Sequence, residues 1–223
     1  MSEDEQAWAK YLAWNDALAA EWFSDEQADL PVYLDVEPEV LQAAAARVGA
    51  EGDPAASLAK TVSATIWLGQ GPAFSRHHEE LKKWRRRSRA STQKKLLMDV
   101  PPPVTALLGS FTIAAFRMGA DAEYAPNAYY ARLFALLGVK AGDHARLTNA
   151  FRAHSEDFWR ALNEYLAQYG GQRGLPPAYP PGLRHGGPPQ SPALAPPTAR
   201  AKPPRALRPR RLPPLPAQPR GPP

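Results

Sequence analysis

The chain has 223 residues, with 27 Lys and Arg against 22 Asp and Glu, and no cysteine. Disulfides, zinc–thiolate sites and cysteine nucleophiles are thereby excluded. The net charge of +5 suggests a polyanion partner, yet eight of the 27 basic side chains and none of the 22 acidic ones lie in 176–223, so the segment 1–175 carries 19 basic against 22 acidic groups and is mildly acidic.

Other features divide at the same place. The tail 176–223 holds 18 of the 26 prolines, whereas every Trp and Phe precedes it. A body of that size buries about 70% of its unfolded surface, enough for one ordinary core. The N-terminus, MSEDEQ, is acidic and lacks the basic and apolar regions of a secretory signal. A cytoplasmic location is the expectation.

In chain order, Ser2 and Glu5 form a capping box that opens a helix to about Phe23. Trp8, Tyr11, Leu12, Leu18 and Trp22 fall near one stripe with Trp14 alongside, and read as core anchors rather than a stacking platform. Ser24 to Leu30 reads as a polar loop. Val32, Leu34 and Val36 alternate with Tyr33 and Asp35, the pattern of a strand. A lone strand is an extended clip across helices, an edge for another protein, or half of a sheet completed elsewhere.

Pro38 opens the next helix and Gly49 stops it; Asp53-Pro54 opens another, with Leu58, Val62 and Ile66 spaced by four and Gly69 closing it. Phe74, His77, Leu81 and Trp84 predict a short amphipathic helix running into a basic cluster. After Pro101-Pro-Pro103, the run Val104–Phe116 carries no charge. It falls well short of the roughly 20 residues needed to cross a bilayer, and so predicts a buried central helix. Asn127 starts a helix stopped by Gly138, Leu147 and Phe151 mark a short one, and Ser155 caps a last helix that ends at Gly170-Gly171. The fold class is mainly α: an irregular multi-helix bundle over 1–175 with at most one short strand or hairpin.

The tail has almost nothing to bury, which predicts disorder with polyproline-II character over 176–223. Within it, Arg210-Arg-Leu-Pro213-Pro-Leu-Pro216 resembles a class I SH3 ligand: Arg210 meets an acidic pocket while Leu212, Pro213, Leu215 and Pro216 fill two apolar ones. In so proline-rich a stretch a match of this length also arises by chance. Pro, Arg, Ala and Gly have GC-rich codons, so an out-of-frame end of a GC-rich gene would give the same abrupt change.

The sharpest signal in the body is the dense run of cations Lys82, Lys83, Arg85, Arg86, Arg87, Arg89, Lys94 and Lys95. Such a strip suits phosphate contacts, with Trp84 placed to stack on a base. The plainer reading is a solvated connector, with Glu79 and Lys83 spaced as a helical ion pair. His77-His78-Glu79-Glu80 lacks the second motif a metal site needs, and reads as surface histidines. Asp143, His144, His154 and Ser155 invite a triad, but no Gly-x-Ser-x-Gly elbow accompanies them. Phosphate loops and dinucleotide fingerprints are also missing.

No cofactor or metal is expected. The expected function is a non-catalytic helical interaction or accessory module of a larger assembly, with a protein partner and no membrane. The alternatives are non-specific nucleic-acid binding through 82–95 and an SH3-ligand adaptor through 210–216.

Overall fold

Of the uncharged run Val104–Phe116, residues Val104 to Ala114 are all buried and Phe116 reaches the surface, and covering that buried stretch sets the architecture. The structure, a computed structural model, describes residues 1–23, 28–93, 99–118 and 128–175. Among these residues the chain forms α1 (Glu3–Trp22), α2 (Pro38–Val48), α3 (Pro54–Ser63), α4 (Ser75–Gln93), α5 (Thr105–Met118), α6 (Ala128–Leu137) and α7 (His144–Ala167). The fold is mainly α, and no described residue lies in a strand. Helix α5 is the centre. Val104, Leu107, Leu108, Phe111 and Ala114 have no exposed surface, and α1, α3, α6 and α7 all contact the helix. Gly109 permits a close crossing with α1, since a Cβ there would sit 3.0 Å from Trp22 and 3.2 Å from Leu18.

Three caps act as the sequence predicts. Ser2 Oγ accepts from Glu5 N while Glu5 accepts from Ser2 N. Asp53 accepts from Ala55 N at the start of α3. Gly49 closes α2 in the left-handed conformation, at φ 65°. The start of α5 is served from a distance: Asn15 Oδ1 accepts from Ala106 N, and Tyr11 donates to Pro103 O. Two polar groups of α1 thus hold the end of the proline run and the first turn of the central helix.

Four expectations need correction. First, residues 31–36 pair as no strand of a sheet, and of the three forms open to them they take the extended clip across helices. Val32, Leu34 and Val36 are buried against the helices, and the pairing is one parallel bridge between Pro31 and Leu175. Pro31 has no N–H to extend a ladder, and Trp22 holds the segment by donating to Asp35 O at 2.7 Å. Second, the two helices expected around Leu147 and after Ser155 are one continuous helix. Ser155 falls on the apolar stripe of Leu147, Phe151, Phe158, Leu162 and Tyr165, and so is buried inside α7 rather than capping it. Third, α3 ends at Ser63, and tighter turns carry Ile66 into the core before Gly69. Fourth, the helix that begins before His77 is not short; α4 continues through the basic cluster to Gln93. The expected start at Asn127 and the tail 176–223 lie outside the described residues.

His77 is likewise no surface residue. It is fully buried, edge-on to Trp8 at 5.1 Å and Tyr11 at 4.8 Å. Thr65 gives its hydroxyl proton to Val62 O, so its oxygen accepts from His77 Nε2 at 3.3 Å and leaves Nδ1 without a partner. Burial pulls the imidazole pKa down to about 3 from 6.5. Below pH 6.5 the unfolded chain therefore takes up a proton that the folded one refuses. Stability is fully present above 6.5 and falls by about 1.4 kcal/mol per pH unit as the pH drops toward 3. Urea unfolding at pH 7 and 4.5 checks this: His77→Leu should lose less stability over that interval than the parent, by roughly 2–3 kcal/mol. An unchanged loss would show that His77 does not set the acid limit.

Candidate nucleic-acid interface

Helix α4 has very little apolar surface, and that little is concentrated. His77, Leu81, Trp84 and Ser88 follow at steps of four, three and four, and all four are buried. Just before them Phe74, at φ 68°, packs edge-on against Phe111 and Phe158 and anchors the start of the helix. Once that stripe faces the core, the cations between its members must face water. Lys82, Lys83, Arg86, Arg87 and Arg89 are all exposed. Lys83 bonds Glu80 at 2.8 Å, not Glu79, and Glu80 also lies 3.4 Å from Arg76. Among the described residues, Lys82, Arg86, Arg87 and Arg89 have no carboxylate partner.

Two residues of the predicted strip do not belong to this face. Arg85 points to α7, where its Nη1 donates to both carboxylate oxygens of Asp157 at 2.8 and 3.0 Å and its Nε to Glu164 at 2.8 Å. Its side chain is only 18% exposed, so it is a structural clamp and not a free phosphate ligand. Trp84 is buried and donates to Val100 O at 2.9 Å, so its ring is not available to stack on a base. Lys94 and Lys95 lie outside the described residues, as do Arg210, Leu212, Pro213, Leu215 and Pro216.

The Arg85 clamp also assembles a group that the sequence does not announce. His78 lies against His154 of α7, ring centroids 4.9 Å apart, and His78 Nδ1 is 3.9 Å from Asp157 Oδ2. Partial burial lowers the pKa of His78, and Lys82, His154 and Arg85 lower it further, against the pull of Asp157. His154 is lowered too, first by burial, then by Lys82, with Asp157 opposing. Residues 78 and 154 are far apart in sequence, and their only foretaste there is that His154 and Asp157 share a helical face.

The remaining suspected constellations come apart. Asp143 bonds Arg146, His144 Nε2 lies 3.2 Å from Val139 O, and Ser155 is buried. Among the described residues no three His, Asp or Glu side chains converge to hold a metal ion, and no helix is long and apolar enough to cross a membrane. A cleft of about 460 Å³ lies elsewhere, lined by Asp16, Phe23, Asp99, Tyr165 and Arg173, where Arg173 bonds Asp99 and the Tyr165 hydroxyl. Comparison with known proteins finds no family model, no curated protein and no solved structure that the chain matches.

The two kinds of arginine separate by thermal unfolding. Arg85→Ala strands two carboxylates and should cost about 1–2 kcal/mol, lowering Tm by roughly 2–8 °C. Arg86→Ala or Arg89→Ala should stay within about 0.5 kcal/mol of the parent. Equal losses at 85 and 86 would contradict the inward–outward division.

Proposed function

We propose that the protein binds nucleic acid through the phosphate backbone, using the outward face of α4 and reading no base sequence. The observation that carries this is the set of four cations without a carboxylate partner among the described residues, Lys82, Arg86, Arg87 and Arg89, on one helix of an otherwise acidic body. From Lys82 to Arg89 the helix advances roughly 10 Å, the length of about three phosphates along one strand. Arginine forks suit phosphate oxygens, and a solvated cation row releases its counter-ions when a polyanion replaces them. Because Trp84 is committed to the core, affinity on this reading comes from charge and not from base stacking.

The test is the salt dependence of binding to a single-stranded RNA and to a DNA duplex. With about four phosphates neutralised, log Kd against log salt should have a slope of magnitude roughly 3–4. The triple variant Arg86→Ala, Arg87→Ala, Arg89→Ala should lower that magnitude by about 2–3. Absence of binding at about 50 mM salt would refute the reading. Binding of acidic proteins but of neither nucleic acid would reassign the face.

A second reading, a helical interaction module within a larger assembly, is favoured by one observation. Leu30 and Leu175 are 50% and 41% exposed where Leu175 N donates to Leu30 O. Paired Leu30→Asp and Leu175→Asp substitutions would release such a protein partner while leaving salt-dependent RNA binding intact. Retention of the partner would remove this reading.

A further inference from the structure

We infer that His78 and His154, with Asp157 and Lys82, form an imidazole-based centre that cleaves the phosphodiester backbone of single-stranded RNA bound along α4. The inference rests on the nucleic-acid reading above and adds a reaction to it.

The placement follows from helical spacing. His78, Lys82, Arg86 and Arg89 follow one another at steps of four, four and three, so they lie along one stripe of α4. A strand following that cation row passes His78 at its end. His154 of α7 stands beside it, 4.9 Å between ring centres and 35° between planes. Asp157, one turn beyond His154, is held by the Arg85 fork and turns Oδ2 toward His78 Nδ1. That nitrogen is shielded from solvent and has no hydrogen-bond partner. A carboxylate there favours the proton on Nδ1 and leaves Nε2 as the basic nitrogen open to a ligand. The field of Lys82 reaches both rings, which puts a cation where charge accumulates on a phosphate in transfer.

The chemistry balances without a co-reactant. Nε2 of neutral His78 takes the proton of a ribose 2′-hydroxyl, and the 2′ oxygen bonds to phosphorus. The bond from phosphorus to the 5′ oxygen breaks, and protonated His154 gives its proton to that departing oxygen. The products are a 2′,3′-cyclic phosphate and a 5′-hydroxyl end, and the two imidazoles return to their starting states by exchange with water. DNA has no 2′-hydroxyl, so it is bound and not cut.

The groups facing the pair are Lys82 and Arg85 from α4 and Asp157 from α7. Burial and the cations outweigh the carboxylate, so both rings are held below their ordinary value of 6.5. A base–acid pair of this kind gives a bell-shaped rate profile with its maximum on the acid side of pH 6.5.

The experiment uses the full chain, a short single-stranded RNA and its DNA counterpart, with EDTA present, following binding and strand length in parallel. RNA should be cut to cyclic-phosphate ends with the acid-side bell, and DNA should remain whole. His154→Gln, and separately His78→Gln, should each slow cleavage by about 100-fold or more while RNA affinity stays within about twofold. Lys82→Ala should slow cleavage in a chain whose melting is unchanged. RNA that is bound but left intact would overturn this inference and leave the binding reading in place. Cleavage that persists in both histidine variants, or lacks the bell, would overturn it equally. If neither nucleic acid binds, both readings fall together.

Discussion

The contact on which the surface of this protein depends is the Arg85 guanidinium fork between Asp157 and Glu164. It joins α4 to α7 beside the His78–His154 ring contact, where the apolar stripe of α4 is already committed to the core. A partly exposed pair of this kind contributes modestly to stability, about 1–2 kcal/mol. Its larger effect is geometric. The buried stripe of His77, Leu81, Trp84 and Ser88 turns Lys82, Arg86, Arg87 and Arg89 outward, and the fork adds a tie to α7 that holds Asp157 beside His78.

The same economy of polar contacts recurs in the interior. Large aromatics of this protein fill space and also hold loops by their polar tips: Trp22 on Asp35 O, Trp84 on Val100 O, Tyr11 on Pro103 O. Each bond satisfies a carbonyl in a segment with no helical partner of its own, where an unpaired buried group would cost about 1–3 kcal/mol. At the start of α5, whose first twelve residues carry no charge, Tyr11 is the tip that orients the chain.

Much of the fold was legible because helix signals are local. The capping box at Ser2, Asp53-Pro54 and the stop at Gly49 all act where the sequence places them. What was not legible depended on partners distant in the chain. Alternation at Val32, Leu34 and Val36 reports one buried side and does not say whether a neighbouring strand exists; here helices supply the cover. Ser155 has the chemistry of a cap, but its neighbours' periodicity carries the helix through it. The cation cluster was visible as composition, yet nothing local separates Arg85 from Arg86. That division came from Asp157 and Glu164, two carboxylates on a helix remote in the chain. For the same reason His78 and His154 could not be paired from the sequence, whereas the spacing of Phe74, His77, Leu81 and Trp84 already set His77 apart from His78.

The central claim is that one arginine of the cluster is a clamp while its neighbours are free to take a polyanion. The most direct measurement is an NMR titration of the labelled protein with a short RNA, following the arginine side-chain Nε–H resonances. The account predicts that the signals of Arg86, Arg87 and Arg89 move with added RNA, while the Arg85 signal stays in place. Movement of Arg85 along with the others, or no movement at 86, 87 and 89, would contradict it.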